Sequence, residues 1–326
     1  MHVDRRCLGP PPRQPACVDP LEARALLVVD DGSTLRAGRA LARAVEQGAM
    51  VRIRRGVYVE CAIWRRLTGE ERLLLRVLAL ATASRSQPVF SHWAAAVLLG
   101  LPVPRRATEL VDLAVDGTRN RTVAGARVHL LALGSEEVVE IHGLLCTSVT
   151  RTAVDVAADC GEEEAVVLAD AALGVLGAGG EQLLRAALDL SGRRRGAVRA
   201  ERIIEFANGS SGSPGESISR FRMHRLGFVA PELQVRFETD GFVDIADFGW
   251  EAVAAAGEFD GEVKYRSERY RRGRSVEDVV IAEKNRENRI RRRRPRFARW
   301  DWSDLQEGRL EAILRRAGIP KRDDPE

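Results

Sequence analysis

The chain has 326 residues, of which 45% are hydrophobic and 30% charged, a balance that excludes an intrinsically disordered or membrane-embedded protein and leaves length for two domains. The net charge is only +4, yet the pI is near 9.0 and arginine is concentrated in particular stretches, which points to a polyanionic partner. No apolar run is long enough to span a bilayer, and the cysteines (Cys7, Cys17, Cys61, Cys146, Cys160) are scattered without metal-ligand spacing, so a reduced, cytoplasmic setting is expected.

Residues 1–19 carry arginines but no apolar centre and read as a disordered tail, not a signal peptide. From Pro20 the stretch LEARALLVV has helical periodicity and stops at Asp30-Asp31-Gly32. Ser33 or Thr34 can cap a second helix, LRAGRALARAVEQG, ended by Gly48. Its Leu35, Leu41, Ala42 and Val45 form an inward stripe, and Arg36, Arg39 and Arg43 lie three and four apart on another face. Next, Val51 and Ile53 alternate with Arg52 and Arg54, Arg55-Gly56 supplies a turn, and Val57 to Val59 return as a strand. Helix, helix and basic hairpin over residues 20–62 is the order of a winged helix. In that arrangement the arginine-bearing helix enters the major groove of double-stranded DNA, and Arg52, Arg54 and Arg55 follow the backbone or minor groove. A merely solvated arginine face has the same periodicity.

The region 63–192 reads as mixed α/β. Thr68 to Ser84 is a capped amphipathic helix, and Phe90 to Leu101 a second one starting at Ser91, with His92 and Trp93 as packing residues. Strands are expected at Leu110 to Val115, Ala126 to Leu131 and Gly143 to Cys146, then helices at Arg151 to Ala158, Glu162 to Leu173 and Glu181 to Leu190. His129 and His142 are far apart in sequence and read as separate strand residues with hydrogen-bonded rings. The first helix through RIRRGVYVE, with SHWAAAVLLGLP at Ser91 to Pro102 and VTRTAVDVAADCG at Val149 to Gly161, resembles the AbiEi-type antitoxin and regulator proteins of actinobacteria. The resemblance covers roughly residues 20–175. It implies a winged helix at the N-terminus, sequence-specific DNA binding as a repressor, and a cognate toxin as a second partner.

Residues 193–215 combine a basic segment with NGSSGSPGE at Asn208 to Glu216, the richest Gly/Ser/Pro run, and read as a linker. Beyond it, over 216–320, Ser213 and Pro214 start a helix that ends at Gly227, and Asp240-Gly241 joins two strands. A third strand, GEFDGEVKY, a long helix, the strand FARWDW and a closing helix follow. Alternation places Asp244 opposite Val243 and Ile245, and puts Glu258 and Asp260 on one face. Carboxylates on adjacent strands repel unless a cation compensates them, so Asp244, Glu258 and Asp260 are candidate metal ligands, with a solvated strand face as the alternative.

The order of these elements, with Glu216-Ser217, Val243-Asp244, Glu258-Phe259-Asp260-Gly261, Glu283-Lys284-Asn285-Arg286-Glu287 and Arg299-Trp300 ahead of Ser303-Asp304-Leu305, resembles the restriction-endonuclease-like PD-(D/E)XK fold, more narrowly the very-short-patch repair endonuclease group. The resemblance implies Mg²⁺-dependent phosphodiester hydrolysis: Asp244 the main ligand, Glu258 or Asp260 completing the inner shell, Glu216 acting through water and Lys264 orienting the nucleophile. Asp247 is an alternative ligand expected on the other face. Two departures stand out, Asp260 at the usual lysine of E-x-K, and Lys264 where many relatives have histidine. The run Arg291, Arg292, Arg293, Arg294 repels itself unless phosphate is near, which favours nucleic-acid contact. The chain is thus expected to be α/β (α+β overall): an AbiEi-type DNA-binding regulator carrying a nuclease-like domain or, alternatively, a Mg²⁺-dependent DNA endonuclease.

Overall fold

A computed structural model describes residues 20–30, 32, 35–104, 109–116, 121–192, 194–239, 241–261 and 276–322, excepting the side chains of 35 and 276–280. The protein is of mixed α/β class. It divides into two compact units with the boundary between Ala207 and Asn208.

In the first unit, α1 (Pro20–Ala25) is shorter than its periodicity predicts, because Val28 and Val29 leave the helix as strand β1 and pair antiparallel with Tyr58 and Val57. β-branched residues lose side-chain freedom in a helix and fit a pleated surface better. α2 (Leu35–Glu46) ends before Gly48 at φ 72°, and β2 (Met50–Arg54) turns at Gly56, φ 77°, into β3 (Val57–Glu60). The sheet order is β1-β3-β2. Ser33 and Thr34, the expected cap, lie outside the described residues. After α3 (Cys61–Arg66), α4 (Gly69–Ala83) opens on a capping box between Thr68 and Glu71. Its Leu73, Leu74, Leu75, Val77, Leu78, Ala79 and Leu80 are buried on every face, as a helix in the middle of a unit must be. It touches α1, β2 and β5, so residues 20–62 and 63–192 share one body.

The larger sheet of this unit comprises β4 (Val89–Phe90), β5 (Val111–Val115), β6 (Arg121–Val123), β7 (Ala126–Leu130), β8 (Val138–Ile141) and β9 (Leu144–Thr147), in the order β6-β7-β5-β4-β9-β8. Pairs β5–β7 and β4–β9 are parallel. Helices α5 (His92–Leu98), α6 (Val149–Asp159), α7 (Glu162–Leu176), α8 (Gly180–Leu190) and α9 (Ala197–Phe206) complete it. α9 lies in the stretch read as a linker, but Ala200, Ile203 and Ile204 bury it against α6, α7 and α8.

The second unit runs α10 (Pro214–Arg225), β10 (Glu232–Thr239), β11 (Phe242–Trp250), β12 (Ala255–Asp260), α11 (Val276–Arg293), β13 (Arg296–Asp301), α12 (Trp302–Gln306) and α13 (Leu310–Arg316). The sheet order is β10-β11-β12-β13, antiparallel except for the β12–β13 pair. Each face carries its own core. Met223 of α10 packs with Phe248, Trp250, Phe259 and Trp300, and Ile290 of α11 packs with Phe237, Ala246 and Ala256. A Cβ on Gly215 would sit 1.9 Å from the Phe259 ring, which fixes glycine in the first turn of α10.

One irregularity sets the site. Leu233 pairs with Phe248 and joins the α10-side core, whereas Val235 and Ala246, paired two residues along, join the α11-side core. Regular pleating keeps residues i and i+2 on one face, so the ribbon rolls over between them. Gln234, at the roll, has φ 52°. The roll turns Asp244 to the α11 side.

The first unit is also held by a buried ionic knot. Arg151, 3% exposed, reaches Asp155, 0% exposed, with Nε at 3.0 and 3.1 Å, and its Nη1 donates to Glu137 (2.8 Å) and the Ala132 carbonyl (3.0 Å). Burial disfavours the charged guanidinium, but Asp155 and Glu137 outweigh it and hold Arg151 above its ordinary pKa. Arg194 adds a second bond to Asp155 at 2.7 Å. Arg151→Ala leaves a buried carboxylate with one counter-charge and should cost about 3 kcal/mol, read as a lowered urea midpoint at unchanged m. Arg185→Ala, which loses only exposed ion pairs with Glu181 and Glu205, should cost under about 0.5 kcal/mol in the same assay.

Candidate functional site

Asp244 and Glu258 come to the same helix. Asp244, 5% exposed on β11, takes a two-pronged ion pair from Arg289, Nε to Oδ2 and Nη2 to Oδ1 both 2.7 Å, and the Arg289 guanidinium lies over the Phe242 ring at 4.4 Å. Glu258, also 5% exposed, contacts Arg286 at 2.6 Å and Arg299 at 2.7 Å. Its neighbour Phe259 lies in the α10-side core, so alternation along β12 turns Glu258 the other way, toward α11.

The charges continue outward. Arg286 makes paired bonds to Glu283 (3.0 and 2.8 Å), and Arg299 lies 3.2 Å from Glu283 and 3.3 Å from Glu287. Burial weakens the charged form of both guanidiniums, but the surrounding carboxylates prevail and raise both pKa values: Glu283 and Glu258 at Arg286, Glu258, Glu287 and Glu283 at Arg299. The EK-x-RE motif and the arginine before Trp300 thus converge on Glu258. In the sequence Arg286 and Arg299 stand out as motif pieces, and Arg289 only as part of the basic stretch 284–299 for which nucleic-acid contact is expected. Arg286 and Arg289 carry a signal of their own, arginine three residues apart on one helix, whereas Arg299 lies on β13 and has only its place before Trp300.

The remaining predicted residues are placed differently. Glu216 is buried in the first turn of α10 and accepts from the Gly212 amide and Gln234 Nε2, both 2.8 Å. Asp260 is half-buried at the end of β12, beside Asp301 of β13. Asp247 accepts the Phe259 amide at 2.9 Å, where the β11–β12 ladder stops. Lys264 lies outside the described residues. Among the described residues, no three of Glu216, Asp244, Glu258 and Asp260 bring carboxylate oxygens within 4.8 Å of one another.

A Mg²⁺ at these acids would have to compete with guanidiniums for the oxygens of Asp244 and Glu258. The ion needs oxygen donors at close range with room for its waters, and guanidiniums occupy Asp244 and Glu258 from their α11 side. The expectation of one acidic pocket is corrected on this point: arginine supplies the compensating charge.

The Arg291–Arg294 run also finds partners within the chain. Arg291 pairs with Glu287 at 2.7 Å and lies over Phe297, Arg293 donates to the Glu238 carbonyl (3.1 Å) and Thr239 (3.3 Å), and Arg294 pairs with Glu251. Mutual repulsion therefore does not require phosphate there. In the first unit, Arg36, Arg39 and Arg43 are exposed along one face of α2, and Arg52 and Arg55 are exposed on the hairpin. Arg54 is half-buried and its guanidinium lies beside Gly125 at the β6–β7 turn.

A second cluster joins residues that sequence separation had kept apart. His92 and His129 stack with centroids 3.7 Å apart and planes at 20°. His92 Nε2 lies 3.2 Å from Asp159 Oδ2 and Nδ1 lies 3.1 Å from Ser91 Oγ, while His129 Nε2 lies 2.8 Å from Asp112 Oδ1. Burial opposes the Asp159 charge, but the His92 bond and the Arg194 charge hold its pKa below the usual range. The sequence suggests His92 as a packing residue and His129 as a strand residue with a hydrogen-bonded ring, and gives no sign that the two meet. Neither lies near the other in sequence, and only the parallel β5–β7 pair and the start of α5 bring them together.

No family model matches the chain. Two proteins do: "Uncharacterized protein Rv2248" of Mycobacterium tuberculosis strain H37Rv and "Uncharacterized protein MT2308" of strain CDC 1551 / Oshkosh, each 30% identical over 217 residues, or 66% of this chain and 75% of the relative. The chain belongs to their family. Among the described residues no helix is long and apolar enough to cross a membrane.

If the Asp244–Arg289 pair is a structural lock, Arg289→Ala should destabilise the second unit by roughly 3 kcal/mol, because a buried carboxylate is left uncompensated. The double variant Asp244→Ala/Arg289→Ala should then cost at least about 1 kcal/mol less than the sum of the single changes, measured by denaturant titration.

Proposed function

We propose that this protein binds double-stranded DNA through α2 and the β2–β3 hairpin, as a winged-helix transcriptional regulator of the AbiEi type with a nuclease-like second unit. The observation that carries this reading is the exposure of Arg36, Arg39 and Arg43 together on one face of α2, while Leu41 and Val45 on another face are half-buried. A helix diameter matches the major groove, and guanidiniums at i, i+3 and i+7 can reach phosphates and guanine edges from one side. Arg52 and Arg55 follow on the hairpin, where a wing would track the backbone. A cognate toxin is the second partner of this role.

The alternative, a Mg²⁺-dependent endonuclease, is favoured by the delivery of Asp244 and Glu258 to one side of the sheet, and opposed by the arginines that hold them. It would require those guanidiniums to withdraw.

Binding to DNA from the protein's own upstream region should weaken linearly in log–log form with added salt, and each of Arg36→Ala, Arg39→Ala, Arg43→Ala and Arg52→Ala should reduce the slope by about 1. Arg54→Ala should change it less, since Arg54 leans on the β6–β7 turn. Salt-insensitive binding, or none, would remove the regulator reading. Supercoiled plasmid with Mg²⁺ should stay intact, whereas nicking by wild type that Asp244→Ala abolishes would establish the enzyme instead.

A further inference from the structure

Three side chains in the first unit that carry ligand atoms lie close together, and they belong to elements distant in sequence. His92 is the first residue of α5, His129 lies on β7, and Asp159 is the last residue of α6. A ligand atom from each lies within 4.8 Å of the others. We propose that His92, His129 and Asp159 bind one divalent transition-metal ion of the zinc class.

The chemistry of the donors selects that class. Two imidazoles and a carboxylate suit Zn²⁺ and similar ions, whereas Mg²⁺ and Ca²⁺ take oxygen donors. His129 has the outer partner typical of a metal-bound histidine. Its Nε2 holds Asp112, a carboxylate 1% exposed, at 2.8 Å, which fixes the proton on that nitrogen and leaves the other with its lone pair. His92 can make the matching adjustment. Its Nε2 gives up the proton now directed at Asp159, the proton moves to Nδ1, and Ser91 Oγ accepts there, since a hydroxyl can serve as donor or acceptor.

Asp159 is also releasable. Arg194 sits 3.5 Å from it but 2.7 Å from Asp155, so the arginine keeps its stronger partner when Asp159 turns to an ion. The side chain of Asp159 is 37% exposed, which gives an ion a route in from solvent. His92 holds φ 46°, a left-handed conformation that costs a non-glycine residue energy and is maintained at the cluster by its surroundings. Stacked rings direct their nitrogen lone pairs side by side, so ion capture entails one ring turning out of the stack.

The test uses tag-free, full-length protein stripped with chelator and titrated with Zn²⁺ by calorimetry and with Co²⁺ by visible absorption. One equivalent should bind, and His129→Gln and Asp159→Asn should each weaken it more than tenfold. Far-UV circular dichroism and melting of the metal-free variants check that they fold, and Asp159→Asn, a near-isosteric change at a partly exposed site, keeps the test valid should His129→Gln fail to fold. No saturable binding, or binding of undiminished affinity in Asp159→Asn, would overturn the assignment. The outcome is independent of DNA binding by α2.

Discussion

A carboxylate buried between a sheet and a helix is tolerable only when its counter-charge is buried with it, because the penalty for removing one ion from water is several kcal/mol. Both units of this protein meet that demand with arginine. Asp155 is held by Arg151 and Arg194, Asp244 by Arg289, and Glu258 by Arg286 and Arg299. The guanidinium suits this role: it stays charged when buried, offers a planar fork of donors, and can lie on an aromatic ring, as Arg289 does on Phe242. Much of the arginine content that suggests a polyanionic partner is therefore spoken for inside the fold. Arg36, Arg39 and Arg43 on α2 and Arg52 and Arg55 on the hairpin, by contrast, stay exposed.

The position of the acids depends on a backbone event of one residue. Had β10 and β11 kept a regular pleat, Asp244 would share the face of Phe248 and point toward the α10 core. The roll at Gln234 turns it instead to α11, the side on which Glu258 lies. Gln234 then uses its amide to hold Glu216, so the residue that separates the two faces also ties the third acid down. The packing of α10 against Phe259, made possible by Gly215, keeps that helix start in place.

This explains which features were legible in the sequence. Local signals read well: Thr68 and Glu71 as a capping box, Ser213-Pro214 as a helix start, Gly56 as a turn, and the alternation that buries Asp244 while exposing Val243 and Ile245. Features set by distant partners did not. Val28 and Val29 join a helical run by periodicity but pair with β3, and α9 looks like linker until α6 to α8 cover it. The stacking of His92 on His129 arises from strand order, which a pass along the chain does not contain. Charge partnership was hidden for the same reason, since Asp244 and Arg289 are 45 residues apart.

The two readings of the second unit differ in what neutralises the same charge. Asp244 and Glu258 together carry two negative charges, which one divalent ion or two guanidiniums can balance equally in number. They are not equal in consequence. An ion brings open coordination positions and polarises what it binds, whereas a guanidinium fills the oxygens' hydrogen-bonding directions and stays attached to the scaffold. Arg289 commits both prongs to Asp244, while Arg286 and Arg299 divide themselves between Glu258 and the outer carboxylates Glu283 and Glu287. Glu258 is thus the acid whose counter-charges have another place to go, and Asp244 the one that would lose its lock outright. An arrangement of that kind favours holding the sheet and α11 together over exchanging ligands.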